Sequence, residues 1–184
     1  AEIDPAQAAC LAKAAADAIV AQQLCEGPLP RTGNRRPRLA PVCVVATAAE
    51  DEWLAVAVTD DAGWRGLCSL LERADWAALD LAGRRVQADG IEAAVAAWAA
   101  GRSSSEAAEK LQAAGVSAAP VQRTDQLGYD AQLMAGGFWP QMQRRYVGDH
   151  IIPAAPFAYD GVRPALRWPA PTLGQHTDEV VATL

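Results

Sequence analysis

The sequence predicts an α+β fold, and three observations predict it. Two short β-branched apolar runs, Val42–Thr47 and Trp53–Val58, stand a few residues apart. Apolar residues then recur at helical spacing through the next sixty or so positions. The segments on either side, one Ala-rich and one Pro-rich, carry too few bulky apolar residues to form a core.

Composition bounds the reading. Of 184 residues, 42 are Ala, so the 51% hydrophobic fraction falls to about 28% without Ala. That still supports one ordinary core. Six Trp, 21% charged residues and a net charge of −6 exclude a disordered chain. The acidic balance argues against nucleic acid as a partner, because phosphate binding needs a cationic face. No apolar run reaches the length of a membrane span, so no membrane partner is expected. Position 1 is Ala, with no basic and apolar leader after it, so a trimmed or excised chain without a secretory signal is expected.

Residues 5–25 read as one helix, with Pro5 in its first turn and Gly27-Pro28 ending it. Only Leu11, Ile19, Val20 and Leu24 give it a bulky apolar face. Residues 27–41 have no periodicity and read as a linker or functional loop. Four Arg fall in the eight residues Arg31–Arg38, which reads either as a solvated loop or as an anion-binding one. The two β-branched runs, separated by Ala48-Ala49-Glu50-Asp51, form a hairpin. A helix starts at Asp60-Asp61, with Trp64, Leu67, Cys68 and Leu71 as its buried stripe. Another follows Gly90, with Ile91, Ala94, Val95 and Trp98. A third opens at Ser103, where Glu106 completes a capping box, and ends at Gly115. Val116–Val121 is a short strand broken at Pro120. Residues 42–122 thus read as a small α+β domain, with Trp64, Trp76 and Trp98 in its core.

Beyond it, Thr124–Met134 reads as a helix and Phe138–Val147 as an edge-type strand. Pro153, Pro156, Pro164, Pro169 and Pro171 forbid helix across the following stretch. A last helix begins near Thr177, with His176 as a turn residue one position before the N-cap. Both flanks are expected to dock on something outside these residues.

No standard catalytic motif is present: no GxSxG, P-loop, GxGxxG, HExxH or CxxC. Cys10, Cys25, Cys43 and Cys68 lack ligand spacing and read as free, buried thiols of a reduced cytoplasmic protein. With His150 and His176 the only His, no metal site is expected.

Four loop segments, in order, resemble the class III CoA-transferases (the CaiB/BaiF family, with formyl-CoA transferase, carnitine CoA-transferase and α-methylacyl-CoA racemases). They are Gly33-Asn34-Arg35-Arg36-Pro37-Arg38-Leu39-Ala40-Pro41; Trp53–Val58 with the helix around Trp64; Leu111–Val121; and Arg167–Val180. The chain departs from the family pattern at Ser117, where a Pro is usual, and at Val42–Val45, where a polar or aromatic pair is usual. The resemblance implies the C-terminal half of a two-domain subunit. In that reading residues 1–30 are a helix of a Rossmann-like α/β large domain, and 31–41 are a linker and active-site-side loop. Residues 42–122 are the small α+β domain, and 123–184 are the return linker and the C-terminal part of the large domain. It further implies CoA transfer between an acyl-CoA and a free carboxylic acid through an aspartyl-CoA intermediate, with the aspartate upstream of this chain. No catalytic residue is therefore expected here; Gly33, Asn34, Arg35 and Arg36 are the expected substrate or CoA contacts. The resemblance also implies that CoA and acyl-CoA are substrates, that no cofactor is bound permanently, and that the full enzyme is an interlocked homodimer completed by an N-terminal half or a separate catalytic subunit. An acyl-CoA racemase or epimerase of the same fold and a non-catalytic interaction module are the alternatives.

Overall fold

The hairpin forms where β-branched residues alternate between two environments. In the computed structural model, which describes residues 7–184, strand β1 (Val42–Ala46) pairs antiparallel with β2 (Trp53–Ala57). Register places Cys43 opposite Val56 and Val45 opposite Leu54, and all four are buried on one face. Val44 and Ala55 oppose each other on the other face, which stays largely open. Strand β3 (Ser117–Pro120) pairs antiparallel with the far edge of β2, giving the order β1-β2-β3. Pro120 ends that outer strand, where a missing N–H costs no ladder bond.

The residues between β2 and β3 form a helical layer over the buried face. Helix α3 (Asp61–Leu70) is capped by Asp60, whose Oδ1 accepts from the Gly63 N–H at 2.8 Å. Its Trp64, Leu67 and Cys68 are buried, as the spacing predicts, and Trp64 donates its indole N–H to the Trp76 carbonyl at 3.0 Å. Helix α5 (Ala88–Ala99) buries Ile91, Val95 and Ala99 against the sheet, and begins two residues before the Gly90 start expected from sequence. Between them lies helix α4 (Leu81–Val86), which the sequence pattern did not reveal. Asp80 caps it through a 2.8 Å bond from the Gly83 N–H. Trp76 is buried and Trp98 half-buried, so all three expected Trp belong to this core.

Helix α6 (Ser104–Ala113) carries the Ser103 half of the expected capping box but not the Glu106 half. Ser103 Oγ accepts from the Glu106 N–H at 3.2 Å, while the Glu106 carboxylate pairs with Lys110 at 3.3 Å along the helix. Its C-terminus ends in two reversed bonds, Gly115 N–H to Gln112 O at 2.9 Å and Val116 N–H to Leu111 O at 2.9 Å. Gly115 has a φ of +80°, the left-handed conformation this ending requires. Leu111 and Val116 both enter the core beside it, and burying Leu111 alone contributes about 2 kcal/mol. Helix α3 crosses this end with glycines at its contact points: a Cβ on Gly66 would lie 2.0 Å from the Ala114 carbonyl oxygen. Arg84 of α4 is buried as well, its guanidinium 4.9 Å above the Trp64 ring and bonded to Leu79 O at 3.0 Å and to Asp61.

Ahead of the sheet, the single helix expected over 5–25 is found as α1 (Gln7–Ala14) and α2 (Ala16–Leu24). Ala15, at φ −94° and ψ 8°, breaks the regular path, and Pro5 lies outside the described residues. Leu11 is 71% and Leu24 81% exposed, so this apolar face has no partner among the described residues. Cys10 and Cys25 are exposed for the same reason, against expectation; Cys43 and Cys68 are buried.

Contacts divide the chain after Val121. In the second unit, residues 122–184, the helix expected over 124–134 is a short 3₁₀ turn (Leu127–Tyr129) followed by α7 (Ala131–Ala135). Asp130 starts α7 by accepting from the Leu133 N–H at 2.8 Å, which interrupts any longer helix. The expected strand over 138–147 is instead a hairpin of β4 (Gln141–Arg144) and β5 (Gly148–Ile151). Tyr146 and Gly148, at φ +70° and +79°, turn the chain between them. Helix α8 (Thr177–Val181) begins at Thr177, so the residue before it, His176, occupies the N-cap position that sequence placed at Thr177. Its Nδ1 meets Glu179 Oε2 at 3.0 Å. Ala154 alone is buried in this unit.

Candidate functional site

The Arg-rich loop packs beside the small sheet and one side of a groove of about 900 Å³. Gly33 and Asn34 are turn formers: the Arg35 N–H reaches the Thr32 carbonyl at 3.1 Å, with Gly33 at φ +58° in the first central position. A second tight turn follows, closed by the bridge between Arg36 and Leu39. Leu39, Ala40, Pro41 and the start of β1 then form the apolar floor.

Arg35 and Arg36, adjacent in sequence, have different surroundings. Arg35 is bidentate to Glu92, Nε to Oε1 at 2.9 Å and Nη2 to Oε2 at 2.9 Å, and it also pairs with Asp89. Those two carboxylates stand three residues apart on α5 and so share a helix face. Glu92 first and Asp89 second hold the Arg35 guanidinium more firmly protonated than usual. A fork of this kind fixes direction as well as charge, and it pins the loop to α5. Arg36 has no carboxylate partner among the described residues: its Nη1 donates to Gly33 O at 3.5 Å and Arg35 O at 3.3 Å. Of the four residues expected from sequence, three therefore shape or anchor the loop, and Arg36 keeps guanidinium N–H groups directed at the groove and solvent.

Arg85 and Val86 of α4 also line the groove. Sequence reasoning passed over Arg85 because α4 itself went unrecognised. The Asp80 cap followed by two basic residues at the helix end was the available signal. Cys43 also lines the groove, but burial pushes its thiol up to about 11, which leaves it protonated and unreactive near neutral pH. A second, shallower hollow of about 370 Å³ runs from Asn34 and Arg36 over the open sheet face at Val44, Ala55 and Ala119.

The other chemistry-bearing side chains have local partners. His150 and His176 both lie in the second unit, the former beside the Gly148 carbonyl and the latter beside Glu179. Ser103 is committed to its cap. No group of His, Cys, Asp and Glu suited to a metal ion occurs among the described residues. No helix among them is long and apolar enough to cross a membrane. Among the described residues, the charged side chains that line the groove are Arg31, Arg35, Arg36, Arg85 and Glu92.

Comparison with known proteins places this architecture. Among solved structures, a CaiB/BaiF family protein from Brucella suis superposes with a TM-score of 0.73 at 18% identity, covering 95% of this chain and 45% of its own. Rv3272 from Mycobacterium tuberculosis superposes at 0.66 with 19% identity, covering 90% of this chain and 43% of its own. In sequence, the chain is 30% identical over 149 residues to the probable CoA-transferase Rv1866 of M. tuberculosis. That alignment takes in 77% of this chain and 18% of the relative. The chain thus spans less than half the length of each of these three relatives. The family profile of CoA-transferase family III matches residues 1–177, and on that match the chain belongs to CoA-transferase family III.

Proposed function

We propose that this chain is the C-terminal portion of a class III CoA-transferase that moves CoA from an acyl-CoA to a free carboxylic acid. The observation that carries the reading is the family match across residues 1–177 in a chain that covers only 45% or less of its solved relatives. In this reading the catalytic aspartate lies outside these residues. Its carboxylate attacks the thioester carbonyl, the C–S bond breaks, and CoA leaves as thiolate from a mixed anhydride. The thiolate attacks the aspartyl carbonyl, releasing the donor acid and leaving an aspartyl-CoA thioester. The acceptor carboxylate then reverses both steps and departs as the new acyl-CoA. CoA is a substrate throughout, and no permanent cofactor is required.

Within this reading, Gly33 and Asn34 shape the loop, Arg35 anchors it and Arg36 meets substrate. The exposed face of α1 and α2 and the thin core of the second unit support their docking on the remainder of the subunit, or on a separate catalytic subunit, in a cytoplasmic homodimer. The test uses the full-length gene product with an acyl-CoA and an isotopically labelled acid. Label should enter the CoA ester pool, and hydroxylamine should convert one aspartate outside this chain to a hydroxamate visible by peptide mass spectrometry. Turnover without any enzyme-bound CoA would overturn the mechanism. Exchange of the α-hydrogen of a 2-methylacyl-CoA with solvent deuterium, without CoA transfer, would identify a racemase instead.

A further inference from the structure

The groove holds more positive charge than its own carboxylates neutralise. Arg31, Arg35, Arg36 and Arg85 line it, with Glu92 the single acidic lining residue. Glu92 is fully engaged by Arg35, which also takes Asp89. Arg31, Arg36 and Arg85 are left without a carboxylate partner among the described residues, although the chain as a whole is acidic at −6. Three guanidinia around one concavity repel one another, and an anion placed between them relieves that repulsion while accepting several charge-assisted hydrogen bonds. Leu39, Ala40 and Val42 give the groove an apolar side against which the carbon body of such a molecule can pack. About 900 Å³ leaves room for the body of an organic molecule behind its charged end.

We propose that Arg31, Arg36 and Arg85 form a subsite for a terminal oxyanion, carboxylate or phosphate, at the end of the substrate remote from the reacting thioester. This deepens the proposed function and rests on it for the word substrate. Arg85 is the residue on which the subsite depends most, since it brings charge to the groove from a second element, α4, and not from the loop. Arg35 has no part in it, being saturated by α5.

The experiment titrates the full-length protein with succinate and, separately, with inorganic phosphate, following binding by calorimetry at low and raised salt. Wild type should bind at least one probe saturably, with affinity falling as salt rises. Arg85→Gln and Arg36→Gln should each weaken that binding about tenfold, and the double variant about a hundredfold. Arg65→Gln, an exposed cation on α3 away from the groove, should change nothing. Preference for succinate identifies a carboxylate terminus and preference for phosphate a phosphorylated one. Saturable binding by neither probe, or groove variants within twofold of wild type for both, would overturn the subsite. The two proposals fail separately. Arg-dependent binding in a protein that transfers no CoA would refute the activity alone, whereas CoA transfer with Arg-independent binding would refute the subsite alone.

Discussion

Substituting Gly66 with Ala sets two effects of known size against each other. An alanine in place of a helical glycine gains up to about 1 kcal/mol of helix propensity. At position 66 the added Cβ would stand 2.0 Å from the Ala114 carbonyl oxygen and 3.0 Å from its carbon. Both are backbone atoms at a hydrogen-bonded helix end, so no side chain can rotate away. A Cβ at Gly63, one turn earlier, would likewise lie 2.8 Å from the Gly115 carbonyl oxygen, so α3 lies close to the end of α6 along a whole turn. Overpacking of this kind costs about 1–3 kcal/mol, and a rigid obstacle puts it near the top of that range. The net expectation is a loss of about 2 kcal/mol. In urea, with a slope of about 2 kcal/mol per molar, the midpoint falls by about 1 M. Gly90→Ala is the matched control, because nothing lies within 4 Å of its new Cβ in the first turn of α5. Its midpoint should rise by about 0.3 M. A Gly66→Ala midpoint equal to or above wild type, with an unchanged slope, would refute the close approach of α3 to the end of α6.

Other expectations follow from single side chains. Arg84→Ala removes a buried guanidinium from Trp64 and leaves the Leu79 carbonyl without its partner, so it should cost about 2 kcal/mol by urea denaturation. The hydrogen bond from Arg84 holds the Asp61 carboxyl below the usual carboxylate range. A lowered folded pKa stabilises above the unfolded value and is lost as pH falls through the folded one. The stability gap between wild type and Asp61→Asn should therefore be open at pH 7 and close as pH drops below the normal Asp range, as read by thermal melts across pH. Alkylation followed by mass spectrometry should modify Cys10 and Cys25 quickly and spare Cys43 and Cys68 until the protein unfolds. Rapid modification of Cys43 at pH 8 would contradict its burial and raised pKa.

Local signals carried most of the small domain. The hairpin, the α3 stripe, the Ser103 cap and the Gly115 ending each depend on residues a few positions apart, and each is found where the pattern placed it. Failures came from elements too short for a period or from partners far along the chain. Helix α4 has six residues, with Gly83 in its middle and two Arg at its end, and shows no apolar repeat to detect. Missing it concealed both the buried Arg84 and the groove-lining Arg85. The fate of Arg35 was decided by carboxylates 54 and 57 residues away, which no local reading connects. The β4–β5 turn depends on a left-handed Tyr146, a conformation that composition does not announce. Cys10 and Cys25 looked buried because an Ala-rich helix looks apolar, yet nothing described in the chain covers it.

The place of β3 has a consequence for biosynthesis. β1 and β2 are neighbours in sequence and can pair as soon as they are made, but the other edge of β2 must wait for Ser117–Pro120. Every helix of the small domain is translated in that interval. Until then the edge at Leu54–Ala57 offers bare backbone groups flanked by valine and leucine, a template for pairing with a neighbouring nascent chain. The domain is most exposed to aggregation while its helices are out and Ser117–Pro120 is still inside the ribosome, and emergence of that one short segment closes the edge.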